Sequence, residues 1–196
     1  VSLNNFKVGE EQIGVGERKF KMYSLVDVDS IVLPTLIRPY TNIEVNNICM
    51  PVDLLALIDN VPEAKSVVFN QVVFLPSQKQ EMSKLAKKKN RHSSLPNPSN
   101  QIAVDDITRV EELVARESKQ LVHCHFNFVV TVDKDADIQK CTNYLENAFG
   151  RIGIQISQRA YNQLELFVGS FPGNCYSMNK DYDRFLTLGD AAGCLM

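Results

Sequence analysis

The stretch Leu121–Val132, LVHCHFNFVVTV, constrains the fold more than any other part of the chain. Its side chains alternate with a period of two, the signature of a strand. Val122, Cys124, Phe126, Phe128, Val130 and Val132 fall on one face, and His123, His125, Asn127 and Thr131 on the other. The neighbouring segments read as helices. Before the strand, Val104, Ile107, Val110 or Leu113, and Val114 recur at helical spacing from about Ala103 to Gln120. After it, Asp133 or Asp135 caps a helix in which Ile138, Cys141, Leu145, Ala148, Phe149 and Ile152 make an apolar stripe. Ile152, Ile154 and Ile156 then alternate as a short strand, and Ala160–Val168 resumes helical spacing through Tyr161, Leu164 and Phe167. This order predicts an α+β fold built as a two-layer sheet-and-helix sandwich. A ferredoxin-like β-α-β-α unit is one form open to the second half.

The first half is less regular. Residues 1–18 are polar and dotted with Gly9, Gly14 and Gly16, and read as an extended lead-in. In Lys19–Val26, Phe20, Met22 and Val26 alternate with Lys19, Lys21 and Tyr23, as in a half-buried strand. Ile31–Ile37, broken by Pro34, is a candidate second extended segment, Asn42–Asn47 is polar, and Val52–Ile58 reads as a short helix after Pro51. Val67–Leu75, VVFNQVVFL, has the length and β-branched content of a buried strand. Ser77 then caps a helix to about Asn90 with Met82, Leu85 and Ala86 facing inward. Arg91–Asn100, with two prolines and small polar residues, reads as a flexible loop.

Composition narrows the function classes. The chain has 196 residues, enough for one large or two small domains with a proper core. A net charge of -2 gives no overall attraction to nucleic acid or acidic membranes. No apolar run approaches the length needed to span a bilayer. The five cysteines, Cys49, Cys124, Cys141, Cys175 and Cys194, are odd in number and widely spaced, which suits buried thiols in a reducing compartment.

The chemical motifs are sparse. His123 and His125 share a strand face, with Cys124 on the opposite one, so the three cannot converge on one ion; the two histidines have no partner motif of metal-ligand spacing. Lys87, Lys88, Lys89 and Arg91 form the one dense basic patch, and no aromatic residues interleave to stack bases. A solvated helix end, complementing the helix dipole, explains it more simply. Phosphate-loop, dinucleotide and nucleophile-elbow patterns are missing. Asp133, Asp135 and Asp137 begin like a calcium loop without its later glycine and glutamate, and helix capping accounts for them. No catalytic, cofactor or metal-binding residue is therefore assigned. Pro172, Gly173 and Asn174 have the residue types of a tight turn.

Taken in order, several of these segments resemble the family of conjugation and type IV secretion ATPases, in particular the TraG-type members of Bacteroides conjugative transposons. The resemblance lies in His125-Phe126-Asn127 on a strand, then a helix, the Pro172-Gly173-Asn174 turn, Arg184-Phe185-Leu186-Thr187, and Asp190-Ala191-Ala192-Gly193-Cys194. Met50-Pro51-Val52-Asp53-Leu54-Leu55 and Val72-Val73-Phe74-Leu75 extend it backwards, so that it covers most of the chain from about Lys19. Asp53, where the family often has glycine, and the long segment 91–100 depart from the pattern.

This resemblance implies a non-catalytic region preceding a P-loop motor domain in a protein that energises DNA transfer. The chain opens at Val1 and stops at Met196 in mid-pattern, which agrees with a piece of something larger. ATP and Mg would belong to the motor domain. The implied partners are that motor, other subunits of a homo-oligomer, and inner-membrane channel components, with no direct nucleic-acid binding. The implied location is cytoplasmic, with the full-length protein peripheral to the inner membrane. Pro172, Gly173, Asn174, Arg184 and Phe185 are the candidate structural or interaction residues. The domain reading is an extended lead-in over 1–18, a first α+β subregion over 19–100, an α/β sandwich unit over 101–175 and a connector over 176–196 toward the motor. The competing reading is a self-standing small enzyme or nucleic-acid-binding module using the His123/His125 face or the Lys87–Arg91 patch.

Overall fold

The computed structural model of the chain describes residues 5–24, 40–45, 47–53, 55–95, 97–156, 162–174 and 184–193. The chain divides into two compact units. One comprises Val1–Val72, Cys124–Phe185 and Cys194–Met196, and the other Val73–His123 and Leu186–Gly193. The class is α+β, with an antiparallel sheet.

The larger unit begins with an antiparallel meander of β1 (Phe6–Val8), β2 (Ile13–Val15) and β3 (Arg18–Ser24). The described part of the expected lead-in over 1–18 thus holds two strands, with Gly9 and Gly16 in the connections and Gly14 within β2. Gly16, at φ 62°, opens the two-residue turn between Val15 and Arg18, a backbone conformation that favours glycine. A separate hairpin pairs β4 (Tyr40–Val45) with β5 (Ile48–Asp53). The helix expected over Val52–Ile58 is instead the end of β5 followed by a single 3-10 turn, Leu55–Ile58. The segment Ile31–Ile37 lies outside the described residues.

The strand read at Leu121–Val132 is β7, Leu121–Asp133, and it pairs with β3 from Arg18↔Asp133 to Ser24↔Asn127. Its other neighbour is β6 (Ala64–Phe74), which ends the order β1-β2-β3-β7-β6. The sequence predicts a buried strand for β6, but it ends the row of described strands and its apolar residues are partly solvated: Val68 is 49% and Val73 42% exposed. The apolar run is a true strand signal. It is silent on burial, because an edge strand and a central one share the same composition.

Both faces of β3 and β7 are covered. On one face, α3 (Ile138–Gly150) places Phe149 against Phe128 at 5.0 Å between ring centres, and Tyr23 bonds Thr142 at 2.7 Å. On the other, α4 (Gln163–Gly169) adds Leu166 to a buried cluster with Ile13, Met22 and Val129, and Phe167 meets Phe20 at 5.2 Å. The two-layer sandwich is corrected here to helix, sheet, helix. Lys21 and Tyr23, expected on a half-exposed face, are 2% and 0% exposed for the same reason. Burial lowers the Lys21 pKa, with Glu11 and Glu146 opposing the shift. The buried thiol of Cys124 is pushed up to about 11 by desolvation.

The ferredoxin-like unit is not formed. Residues 151–156, expected to supply its second strand, make a turn and an irregular segment that buries Ile154 and Ile156. Gly153, at φ 79°, sits in that turn. Two of the sheet partners of β7, β3 and β6, come instead from residues before 100, so the sheet draws on both proposed subregions. Of the helix expected over Ala160–Val168, residues 160 and 161 lie outside the described part.

α4 is held to β3 by its first residue. The Gln163 carboxamide accepts from Met22 N at 2.8 Å and donates to Met22 O at 2.9 Å, with Gln163 1% exposed. β2 stops pairing at Ile13↔Phe20, so Met22 has no β2 residue opposite it. The side chain takes the place of the next strand and satisfies two buried backbone groups.

The smaller unit is built on a helical hairpin. α1 (Gln78–Ser93) begins where the Ser77 carbonyl accepts from Gln80 and Glu81 at 3.0 and 3.1 Å. The Ser77 side chain makes no cap bond, contrary to expectation. α2 (Pro98–Glu117) is capped by Asn97, whose side chain accepts from Asn100 N at 2.7 Å, with Pro98 at the first helical position. The segment 91–100 is therefore mostly helix, and only residues 94–97 connect the two helices. Pro98, read as a loop former, marks a helix start instead. β8 (Phe185–Leu188) pairs with β7, and α5 (Gly189–Gly193) comes after it, its Gly189 N donating to Gln120 O at 2.8 Å.

Gln163→Ala leaves the N–H and C=O of Met22 buried without partners. Urea unfolding followed by circular dichroism should show a loss of about 2–4 kcal/mol, well above the cost of removing a solvated glutamine.

Candidate functional site

The most unusual chemistry lies at the start of α1. Gln78 and Glu81 are three apart and so share one helix face. Gln78 grips the backbone of β7, accepting from Leu121 N at 2.8 Å and donating to Leu121 O at 2.8 Å. With the helix fixed there, Glu81 meets His123, two residues along the strand from Leu121. Glu81 Oε2 lies 3.5 Å from His123 Nε2, and Lys84 donates to Glu81 Oε1. The Glu81 side chain is 5% exposed and that of His123 13%. Burial alone would raise the Glu81 pKa, but the hydrogen bond from Lys84 and the close approach of His123 together hold the carboxyl below its ordinary value.

This carboxylate–imidazole pair is suited to holding or passing a proton. Among the described residues no group of three or more His, Cys, Asp or Glu is placed to hold an ion. His125 does not join the pair. His125 is fully buried and accepts from Asn127 Nδ2 at 3.1 Å, and Asn127 Oδ1 in turn accepts from Asn70 at 3.0 Å and Ser170 at 3.4 Å. The two histidines on the expected polar face thus serve two separate networks, and neither faces solvent openly.

The basic patch lies on α1 itself rather than beside a loop. Lys87, Lys88 and Arg91 are exposed, whereas Lys89 bonds Glu111 of α2 at 2.7 Å and ties the hairpin together. The segment Pro172-Gly173-Asn174 forms the expected turn after a helix. Asn174 N donates to Phe171 O at 3.1 Å, with Pro172 second and Gly173 third at φ 87°, the arrangement of a type II turn. Phe171 meets Phe167 edge to face at 5.2 Å, which connects the turn to the sheet cluster. Phe185 packs on Phe126 at 5.6 Å, and Arg184 beside it is half-buried.

Three residues of consequence escape a reading of the sequence. Gln78, Glu81 and Gln163 are polar residues in the first turns of helices, where a solvated or capping side chain is the ordinary expectation. The available signal is spacing: Gln78 and Glu81 share a face with Leu85, which reads as inward.

No protein-family model matches the chain, and no curated protein matches it at significant similarity.

Because the folded-state pKa of Glu81 is depressed, the unfolded chain takes up its proton first as the pH falls. The stability that its ionisation supplies is complete above the ordinary carboxylate range and is lost as pH drops through the depressed value. Thermal melts between pH 7 and pH 3 should therefore show a smaller loss for Glu81→Gln than for the unmodified chain. Gly173→Ala should cost about 1–2 kcal/mol in urea unfolding through its positive φ. Steric crowding adds nothing there, since a Cβ at this position would meet no atom within 4 Å.

Proposed function

We propose that the chain is a non-catalytic interaction domain of a conjugation or type IV secretion ATPase. In this reading it acts in the cytoplasm, in a protein peripheral to the inner membrane. It contacts its own motor domain, other subunits of a homo-oligomer and components of the transfer channel. ATP and Mg belong to the motor domain. Among the described residues, no helix is long and apolar enough to cross a membrane.

One observation carries the reading. Leu164, Val168 and Phe171 are 41%, 42% and 49% exposed. They recur at helical spacing along α4 and into the turn that the resemblance singles out, and so form an apolar ridge. The other motif residues are structural: Gly173 sets the turn and Phe185 packs on Phe126. Of the polar candidates of the alternative reading, Lys89 is engaged by Glu111 and His125 by Asn127, while Lys87, Lys88 and Arg91 are exposed.

The test is binding in trans. The chain is titrated with the separately purified motor domain encoded by the same full-length gene, and the complex is followed by analytical ultracentrifugation. A stoichiometric complex weakened on the order of tenfold by Val168→Asp supports the reading. Steady ATP hydrolysis by the chain alone overturns it, as does a full-length reading frame with no phosphate-binding loop ending in Gly-Lys-Ser or Gly-Lys-Thr.

A further inference from the structure

The β1-β2-β3 meander carries an open cleft of about 490 Å³, within the range of small-ligand sites. Its floor is set by strand register. Lys7 pairs with Gly14, and Gly14 pairs with Lys19, so these three residues form one row on the same face of the sheet. The middle strand contributes no side chain to that row. Two ammonium groups thus flank a floor of bare backbone, with their Cα atoms separated by two strand spacings, about 10 Å. Arg18 and Lys134 also line the cleft, giving it four cations.

The acidic groups nearby neutralise them only in part. Glu17, 87% exposed, is the one acid in the lining and approaches Lys134 at 3.8 Å. Asp133, across from Arg18 in the register, binds Lys65 at 3.0 Å instead. Glu10, Glu11 and Asp137 line an adjoining hollow that shares Gly9, Gln12 and Lys19 with the cleft, but none of them lies within ion-pair distance of Lys19, and Glu11 faces Lys21 at 4.0 Å. Elsewhere in this unit Lys65 and Lys140 each bind an acid directly. Lys7, Arg18 and Lys19 have no acidic partner among the described residues. Like charges gathered on neighbouring strands cost stability unless an anion lies between them. No aromatic ring lines the cleft to stack a base.

We propose that this cleft binds a small anion bearing two or more phosphates, recognised by its charge and not by a base. Lys7 and Lys19 hold the phosphate oxygens from opposite sides, and Gly14 leaves the space between them open.

Calorimetric titration of the chain at low salt tests this with tripolyphosphate, ATP, orthophosphate and a short DNA duplex as probes. Tripolyphosphate and ATP should bind with similar affinity, and orthophosphate more than tenfold more weakly. Lys7→Gln together with Lys19→Gln should weaken tripolyphosphate by on the order of a hundredfold, and Lys87→Ala with Lys88→Ala, on the exposed face of α1, should leave it unchanged. Gly14→Val keeps every charge and fills the floor. A Cβ at Gly14 comes no closer than 3.7 Å to Lys7 Cβ, an ordinary contact, and a thermal melt checks that the two further methyl groups are accommodated. This variant should melt as the unmodified chain does and bind about tenfold more weakly. Absence of saturable tripolyphosphate binding overturns the proposal. So does a Gly14→Val variant that binds normally, since attraction would then be surface charge alone. Binding confined to the DNA duplex overturns it in favour of nucleic acid. The ligand-free titration with the motor domain is independent of all these outcomes.

Discussion

A glutamine at the first position of a helix, bound to both backbone groups of one strand residue, occurs in each unit. Gln163 holds Met22 in this way and Gln78 holds Leu121. A carboxamide carries one donor face and one acceptor face, so it can stand in for the peptide of a missing neighbouring strand. It thereby fixes a helix start against a strand to within a hydrogen-bond length, and residues further along each helix take their positions from that anchor. Leu166, three residues after Gln163, enters the core cluster, and Ser170, seven after, reaches Asn127. Glu81, three after Gln78, is delivered to His123. The two units use the same device to position unrelated chemistry.

The second constraint is the burial of β7 on both faces. An apolar face needs only cover, but a polar face under cover must find partners inside the protein. This explains why Asn127 makes bonds to His125, Asn70 and Ser170 together, and why Tyr23 on the neighbouring strand bonds Thr142. Such networks contribute little net stability compared with apolar packing, but they admit few alternative arrangements. Lys21 shows the same tension in a charged group. Its ammonium lies 5.7 Å from the Tyr23 ring centre and 4.0 Å from Glu11, close to charges and rings that offset part of its desolvation.

The elements are legible where periodicity speaks alone. β7, α3 and the Pro172-Gly173-Asn174 turn come directly from alternation, from an apolar stripe and from residue conformational preference. The α+β class comes from their order. Whatever depends on a distant partner does not read. The alternation in β7 separates its two faces correctly, yet the covering of the polar face depends on α4, and nothing local in HCHFN announces it. The run VVFNQVVFL indicates a strand whether it lies at a sheet edge or centre. Ile152, Ile154 and Ile156 alternate, but the turn through Gly153 sends two of them into the core without a ladder. At 91–100 the prolines suggest a loop, although an asparagine before a proline, as at Asn97, is also how a helix begins. The candidate site is hidden for the same reason: Glu81 is a common surface residue in a common surface position until Gln78 fixes the helix.

These anchors bear on how a surface can be presented. Docking loses free energy to the ordering of whatever moves before binding, so a ridge held rigid in the free protein retains more of its contact energy. Leu164 and Val168 stand on a helix of only seven residues, too short to persist by its own propensity. What holds it is Gln163 at one end and Leu166 and Phe167 beneath, with Phe171 closing the turn against Phe167. Every one of those contacts lies on the inner side of the helix, which leaves the outer residues exposed without leaving them loose. A catalytic centre would need its polar groups directed into a cleft with their bonding capacity open. Around α4 the side chains of Gln163 and Ser170 are instead bonded inward, while Leu164 and Val168 stand exposed beside Glu165, the arrangement on which the proposed docking role draws.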